Sequence, residues 1–156
     1  MLRIAIVDDN HEDAEVLRGY LQKFSAETGE QFTVEVFDDS LNFAEEYRPV
    51  WQVVLLDIDM PRYNGLNLAK EIRKADNLVC ILFVTNMGQY AIRGYEVDAV
   101  DFLVKPVQYQ NFADKMLKVQ NILRRIADDS VVIDCMEGFV KMPRVEILYI
   151  EKMQNY

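Results

Sequence analysis

Three apolar runs in this chain each stop on a charged residue, and that repetition constrains the fold more than any other feature. Ile4-Ala5-Ile6-Val7 runs into Asp8-Asp9, Val53-Val54-Leu55-Leu56 into Asp57, and Phe102-Leu103-Val104 into Lys105-Pro106. Short apolar runs rich in β-branched residues are the pattern of strands buried on both faces. Cys80-Ile81-Leu82-Phe83-Val84 is a fourth such run and ends at Thr85-Asn86. Phe32, Val34 and Val36 alternate with polar residues, as a strand nearer the sheet edge does.

Helical stripes separate these strands. Asn10 is a good N-cap with Glu12 and Asp13 in the first turn, and Val16, Leu17, Tyr20, Leu21 and Phe24 follow at helical spacing until Gly29 closes the helix. Asp38-Asp39-Ser40 open a short helix through Tyr47, and Leu66, Leu68, Ala69 and Ile72 mark another after Asn64-Gly65. The stretch from Gly88 to Tyr95 is weakly helical and broken by glycine, so a short, mobile element is expected there. Phe112, Met116, Val119, Leu123 and Ile126 form the stripe of a long last helix, most simply core packing. Strands alternating with helices specify an α/β sheet with right-handed parallel crossovers, whose ligands sit outside the carboxyl ends of the strands. Asp8, Asp9, Asp57, Thr85 and Lys105 all fall at such ends.

From Asp128 onward the character changes. Val131-Val132-Ile133 reads as a strand, Gly138 as a turn, Phe139 to Met142 as a returning strand and Ile147 to Ile150 as another. Two or three short strands are marginal alone, so this segment is expected to open a second, β-rich domain that stops before closing a core. Its acids outnumber its bases six to three. With a net charge of −9 and a pI of about 4.6 for the whole chain, direct contact with nucleic acid or anionic membrane is not expected. No apolar run approaches membrane-spanning length and no signal pattern opens the chain, so a cytoplasmic protein is expected. Cys80 and Cys135, with no CxxC, read as core thiols, and His11 as a solvated residue rather than a phosphoryl relay.

Carboxylates crowded at one site repel one another, and a hard divalent cation with oxygen ligands relieves that repulsion. Mg²⁺ suits an Asp8/Asp9 pair beside Asp57, with Mn²⁺ as a substitute. A carboxylate in such a site can act as nucleophile on a phosphoryl group and form an aspartyl phosphate. Lys105 would pair with the anionic oxygens and the Thr85 hydroxyl would hydrogen-bond one of them.

Asp8-Asp9, then Asp57 with Met60-Pro61 and Gly65, then Thr85, then Lys105-Pro106, resembles the receiver domain of two-component response regulators over roughly residues 2 to 126. The resemblance implies a flavodoxin-like (CheY-like) five-stranded parallel sheet of order 2-1-3-4-5 with helices on both faces, plus a short C-terminal β segment. It also implies that Asp57 accepts phosphate from a sensor histidine kinase, that Asp8 and Asp9 serve the metal, and that the main-chain carbonyl of Asp59 completes its protein ligands. Thr85 and Lys105 would sense the phosphate, and Phe102 corresponds to the family's rotameric switch aromatic. Such a receiver is not a turnover enzyme, although it phosphorylates and dephosphorylates itself. Met87 and Asp59 are expected to tune phosphate lifetime by admitting or blocking water.

Gly94 to Pro106 is similar to receivers attached to LytTR-type DNA-binding domains, and Gly138-Phe139-Val140, Ile147 to Glu151 and Asn155-Tyr156 resemble the first strands of such a domain. The expected organisation is a receiver over 1–126 and, over 127–156, a linker with the truncated start of a LytTR-like output domain. DNA binding would then belong to a longer protein and control transcription, with homodimerisation on phosphorylation. A degenerate receiver working as a phosphorylation-independent binding module is the alternative. A haloacid-dehalogenase-type phosphatase would use Asp57 and Asp59 as nucleophile and general acid, but that pair follows the third strand rather than the first and no cap domain is visible. A flavodoxin-like cofactor binder would need hydroxyl and glycine residues after strand one, where Asp8-Asp9-Asn10 places like charge.

Overall fold

The computed structural model describes residues 1–86, 88–128, 130–135 and 138–143. Met87 and the segment from Ile147 to Tyr156, on which two of the sequence expectations fall, lie outside the described residues. The chain divides into two compact units, Met1–Val119 and Gln120–Tyr156.

The first unit is built on strands β1 (Leu2–Val7), β2 (Phe32–Phe37), β3 (Val53–Leu56), β4 (Cys80–Thr85) and β5 (Asp101–Val104), all parallel and ordered β2-β1-β3-β4-β5. This is the flavodoxin-like order expected from the sequence. Helices α1 (His11–Thr28), α2 (Ser40–Glu46) and α3 (Gly65–Ala75) and the 3-10 segment Gly88–Val97 fill the crossovers, and α4 (Tyr109–Asp128) follows β5. The division between the units falls within α4.

Helices α1, α2 and α3 each begin at a capping side chain. The Asn10 side chain accepts the Glu12 and Asp13 N–H groups, Asp39 accepts those of Leu41 and Asn42, and Asn64 accepts that of Leu66. Gly29 ends α1 in the left-handed region, with φ of 74°, which a residue without Cβ adopts freely. The stretch read as weakly helical is helical in the tighter 3-10 form, running to Val97.

The central strands are buried on both sides, as their unbroken apolar runs require. Ala5, Val7, Val54, Leu56, Ile81 and Phe83 share one core cluster with Phe43 and with Leu68, Ala69 and Ile72 of α3. The alternate residues Ile4, Ile6, Leu55 and Leu82 project to the opposite face by the pleat. On α1 and α4 the buried stripes are Leu17, Leu21 and Phe24, and Phe112, Met116 and Val119. Among the described residues β2 pairs with β1 alone, and all six of its residues are half-buried, so its apolar and polar positions do not separate into inside and outside. Cys80 is a buried core thiol, as expected, and burial pushes it up to about 11.

In the second unit β6 (Ser130–Cys135) pairs antiparallel with β7 (Gly138–Pro143), Cys135 standing opposite Gly138. The hairpin expected around Gly138 is therefore present.

Candidate functional site

Parallel pairing brings the strand ends together. Val7 stands opposite Leu56 and Thr85 opposite Val104, so the residues that follow each strand, Asp8, Asp57 and Lys105, emerge side by side at the carboxyl edge. The ladder continues one step past the strands. The Asp57 N–H donates to the Val7 carbonyl at 2.9 Å, the Asp8 N–H to that of Phe37 at 3.0 Å, and the Lys105 N–H to that of Thr85 at 2.9 Å.

The two buried carboxylates are held alike. Asp8 Oδ1 accepts the Asn10 N–H at 2.9 Å and Asp57 Oδ1 accepts the Asp59 N–H at 3.1 Å, each an Asx turn closed two residues on. Both Oδ2 atoms then face Lys105, whose Nζ lies 2.7 Å from Asp8 and 2.8 Å from Asp57. Gly65 lets the following loop close under Asp57. Its N–H donates to the Ile58 carbonyl at 3.0 Å, and a Cβ at this position would overlap the Asp57 carbonyl oxygen.

Asp8 and Asp57 are buried and Asp9 is exposed, yet one oxygen from each lies within 4.8 Å of the others. Thr85 is fully buried at the end of β4. Phe102 is half-buried against the apolar cluster, its ring 6.3 Å from that of Phe83. Asp59 turns an exposed side chain outward while its N–H holds Asp57. His11 is exposed at the start of α1.

Sequence reasoning passed over one residue. Asp13 read there as a helix-dipole acid, but its Oδ2 is 2.9 Å from Lys105 Nζ. The available signal was positional: α1 starts directly after the acidic loop, so an acid in its first turn stays within reach of the same edge.

Charge and burial oppose one another here. Burial pushes the Asp8 carboxyl above its ordinary value, and hydrogen bonds from Lys105 and the Asn10 N–H oppose this without cancelling it. For Lys105 burial favours the neutral amine, but hydrogen bonds to Asp57, Asp8 and Asp13 outweigh it and hold the group charged, above the ordinary lysine range. One ammonium therefore faces three carboxylates, with Asp9 a fourth acid beside them. The excess negative charge and the all-oxygen donor set fit a hard divalent cation on Asp8, Asp9 and Asp57.

Residues 4–117 match the family model described as the response regulator receiver domain. The chain is 35% identical over 127 residues to an uncharacterised response regulatory protein of Yersinia pestis, covering 79% of this chain and 50% of that protein. It is 30% identical over 128 residues to the sensory transduction protein LytT of Bacillus subtilis, covering 82% of this chain and 52% of that one. The chain thus spans about half the length of the curated relatives it matches. Among solved structures, the non-phosphorylated HemR receiver domain from Leptospira biflexa superposes with a TM-score of 0.66 at 29% identity, over 76% of this chain and 94% of that domain.

Proposed function

Since the chain belongs to the response regulator receiver family, we propose that it is a phosphoacceptor switch in which Asp57 takes a phosphoryl group from a sensor histidine kinase. The observation that carries this reading is the Lys105 ammonium, held between Asp57 and Asp8 where three strands end. An Asp57 carboxylate oxygen forms the new O–P bond as the N–P bond of a phosphohistidine breaks, and the electron pair leaves on the imidazole nitrogen. Lys105 pairs with the phosphoryl oxygens, and the Thr85 hydroxyl donates to one of them.

Asp8, Asp9 and Asp57, with the Asp59 carbonyl, are the residues that would hold Mg²⁺ or Mn²⁺. When bound, the cation neutralises charge between the carboxylates and the incoming phosphoryl group. Drawing Thr85 and Lys105 towards the phosphate would open room for Phe102 to turn inward towards Phe83, a population shift read out at the surface of residues 88 to 126. Phe102 can occupy that space but has no hydroxyl to donate.

The wider role rests on the resemblance to LytT. A cytoplasmic regulator, it would control transcription through a LytTR-type DNA-binding domain in the longer protein, of which residues 127–156 supply the first strands, and phosphorylation would promote homodimerisation. It accepts and loses phosphate without turning over an external substrate. Among the described residues no helix is long and apolar enough to cross a membrane.

The test is intact mass after incubation with Mg²⁺ and acetyl phosphate, beside an Asp57→Asn control. One phosphoryl adduct that needs Mg²⁺ and is missing from the control is expected. An adduct retained in the control would place the acceptor elsewhere, and no adduct at all would leave a binding module in place of a phosphoacceptor.

A further inference from the structure

Three carboxylates surround the Lys105 ammonium: it donates to Asp8 at 2.7 Å and Asp57 at 2.8 Å, and pairs with Asp13 at 2.9 Å. The first two belong to the phosphoacceptor site. The third comes from the first turn of α1, where its charge is supported by the helix dipole and its N–H is held 3.3 Å from the Asn10 side chain. Side-chain exposure separates it from the others, at 36% for Asp13 against 1% for Asp8 and 4% for Asp57. It therefore approaches Lys105 from the solvent side.

The ammonium sits on the Oδ2 atoms of Asp8 and Asp57, two of the three carboxylates that fit a divalent cation. Ammonium and metal draw on the same acids, so a cation that enters competes with Lys105 for the charge of Asp8 and Asp57. Without Asp13 the ammonium would be left with weakened partners on a side chain that is only 6% exposed. With Asp13 it keeps a carboxylate. Asp13 also adds negative charge beside the metal site, which attracts a divalent cation.

The same contact acts in the opposite sense on phosphoryl capture. An arriving phosphoryl group is an anion, and Lys105 is its partner. A lysine shared with Asp13 offers that anion less, and the Asp13 charge repels it.

We propose that Asp13 is a positioning residue that retains Lys105 when a divalent cation takes Asp8, tightening metal binding while slowing phosphoryl capture at saturating metal. This rests on the phosphoacceptor reading above and extends it to a residue outside the metal and acceptor set. Metal affinity and maximal rate then move in opposite functional directions when Asp13 is changed, a split that loss of a purely structural contact does not produce.

The experiment compares wild type with Asp13→Asn, Asp13→Ser and Asp13→Glu, each first checked for a cooperative unfolding transition. Calorimetric titration with Mg²⁺ and no phosphodonor reads binding alone. Initial rates with acetyl phosphate across a Mg²⁺ series read the half-saturating concentration and the maximal rate. For Asn and Ser, Mg²⁺ affinity should weaken about threefold or more and the maximal rate should rise by about the same factor, as expected for loss of one half-exposed charge contact. Glu, which restores a carboxylate, should return both towards wild type. A lower maximal rate in Asn and Ser, or unchanged affinity with unchanged rate, would overturn the proposal. If wild type takes up no phosphoryl group, the phosphoacceptor reading fails, and the Mg²⁺ titration decides the Asp13 proposal alone: unchanged affinity overturns it.

Discussion

At the scale of single residues, the site depends on one atom being absent as much as on those present. The Asp57 carbonyl passes so close to Gly65 that any Cβ would overlap it, and the obstacle is backbone that cannot rotate away. Gly65→Ala should therefore cost about 3 kcal/mol or more and shift the loop that carries Asp57 and Asp59. Urea unfolding checks this, and a midpoint within error of wild type would refute the close approach. Gly65 was legible from the sequence as part of a motif, but its reason was not, because the clash is with a residue eight positions earlier across a folded loop. Asp57, Asp8, Thr85 and Lys105 were legible because each terminates an apolar run. Asp13 was not: a first-turn acid looks the same whether it faces solvent or a lysine 92 positions away, and only the juxtaposition of α1 with the end of β5 distinguishes the two.

At the scale of elements, periodicity predicted what each segment would be, and long-range polar contacts decided how segments are tied. The strands followed from unbroken apolar runs and the helix starts from Asn10, Asp39 and Asn64 at caps, whereas the strand order was implied by the resemblance to receiver domains. Nothing in the sequence marks Arg73 as a tie, yet its guanidinium donates to the carbonyls of Asp76, Val79, Val97 and Asp98, binding α3 and the start of β4 to the end of the 3-10 segment. The join between β5 and α4 is ionic and can be titrated. Asp101 accepts from Lys115 and Lys118, both at 2.9 Å, and Lys118 also donates to the Val100 carbonyl at 2.8 Å. Burial pushes the Asp101 carboxyl up, but bonds from the two lysines and the Phe102 N–H outweigh it and hold the carboxyl below its ordinary 3.8. A carboxyl lowered on folding adds stability at pH values above 3.8, and loses it as pH falls through the folded value. Asp101→Asn should thus lower stability by about 1 kcal/mol at pH 7. The gap from wild type should narrow below pH 3.8. Chemical denaturation at several pH values reads this directly, and a gap that stays constant down to pH 2 would rule out the ionic tie.

At the scale of the whole molecule, folding gathers charge that the unfolded chain keeps apart. The net charge is −9, and Asp8, Asp9, Asp13 and Asp57 stand around one lysine. Asp8 carries the cost, since its raised carboxyl means the folded protein holds that charge less readily than the unfolded chain does. The rest of the fold must outweigh this repulsion, so the site is a place where stability is given up to build a ligand position. A divalent cation that binds the gathered carboxylates binds the folded state alone, because the unfolded chain separates Asp9 from Asp57 by more than forty residues. If the proposed cation site is real, folding and metal binding are linked, and Mg²⁺ at about 100 times its dissociation constant should stabilise the protein by about 2.7 kcal/mol. Thermal unfolding in Mg²⁺ should show a transition several degrees above that in chelator, and potassium at matched ionic strength should not reproduce the shift. Asp9→Asn leaves the buried Lys105 contacts in place while removing one exposed oxygen ligand, so in chelator it should unfold at or above the wild-type temperature and in Mg²⁺ gain much less. Equal Mg²⁺ shifts in the two proteins would mean that the cation acts away from this edge of the sheet.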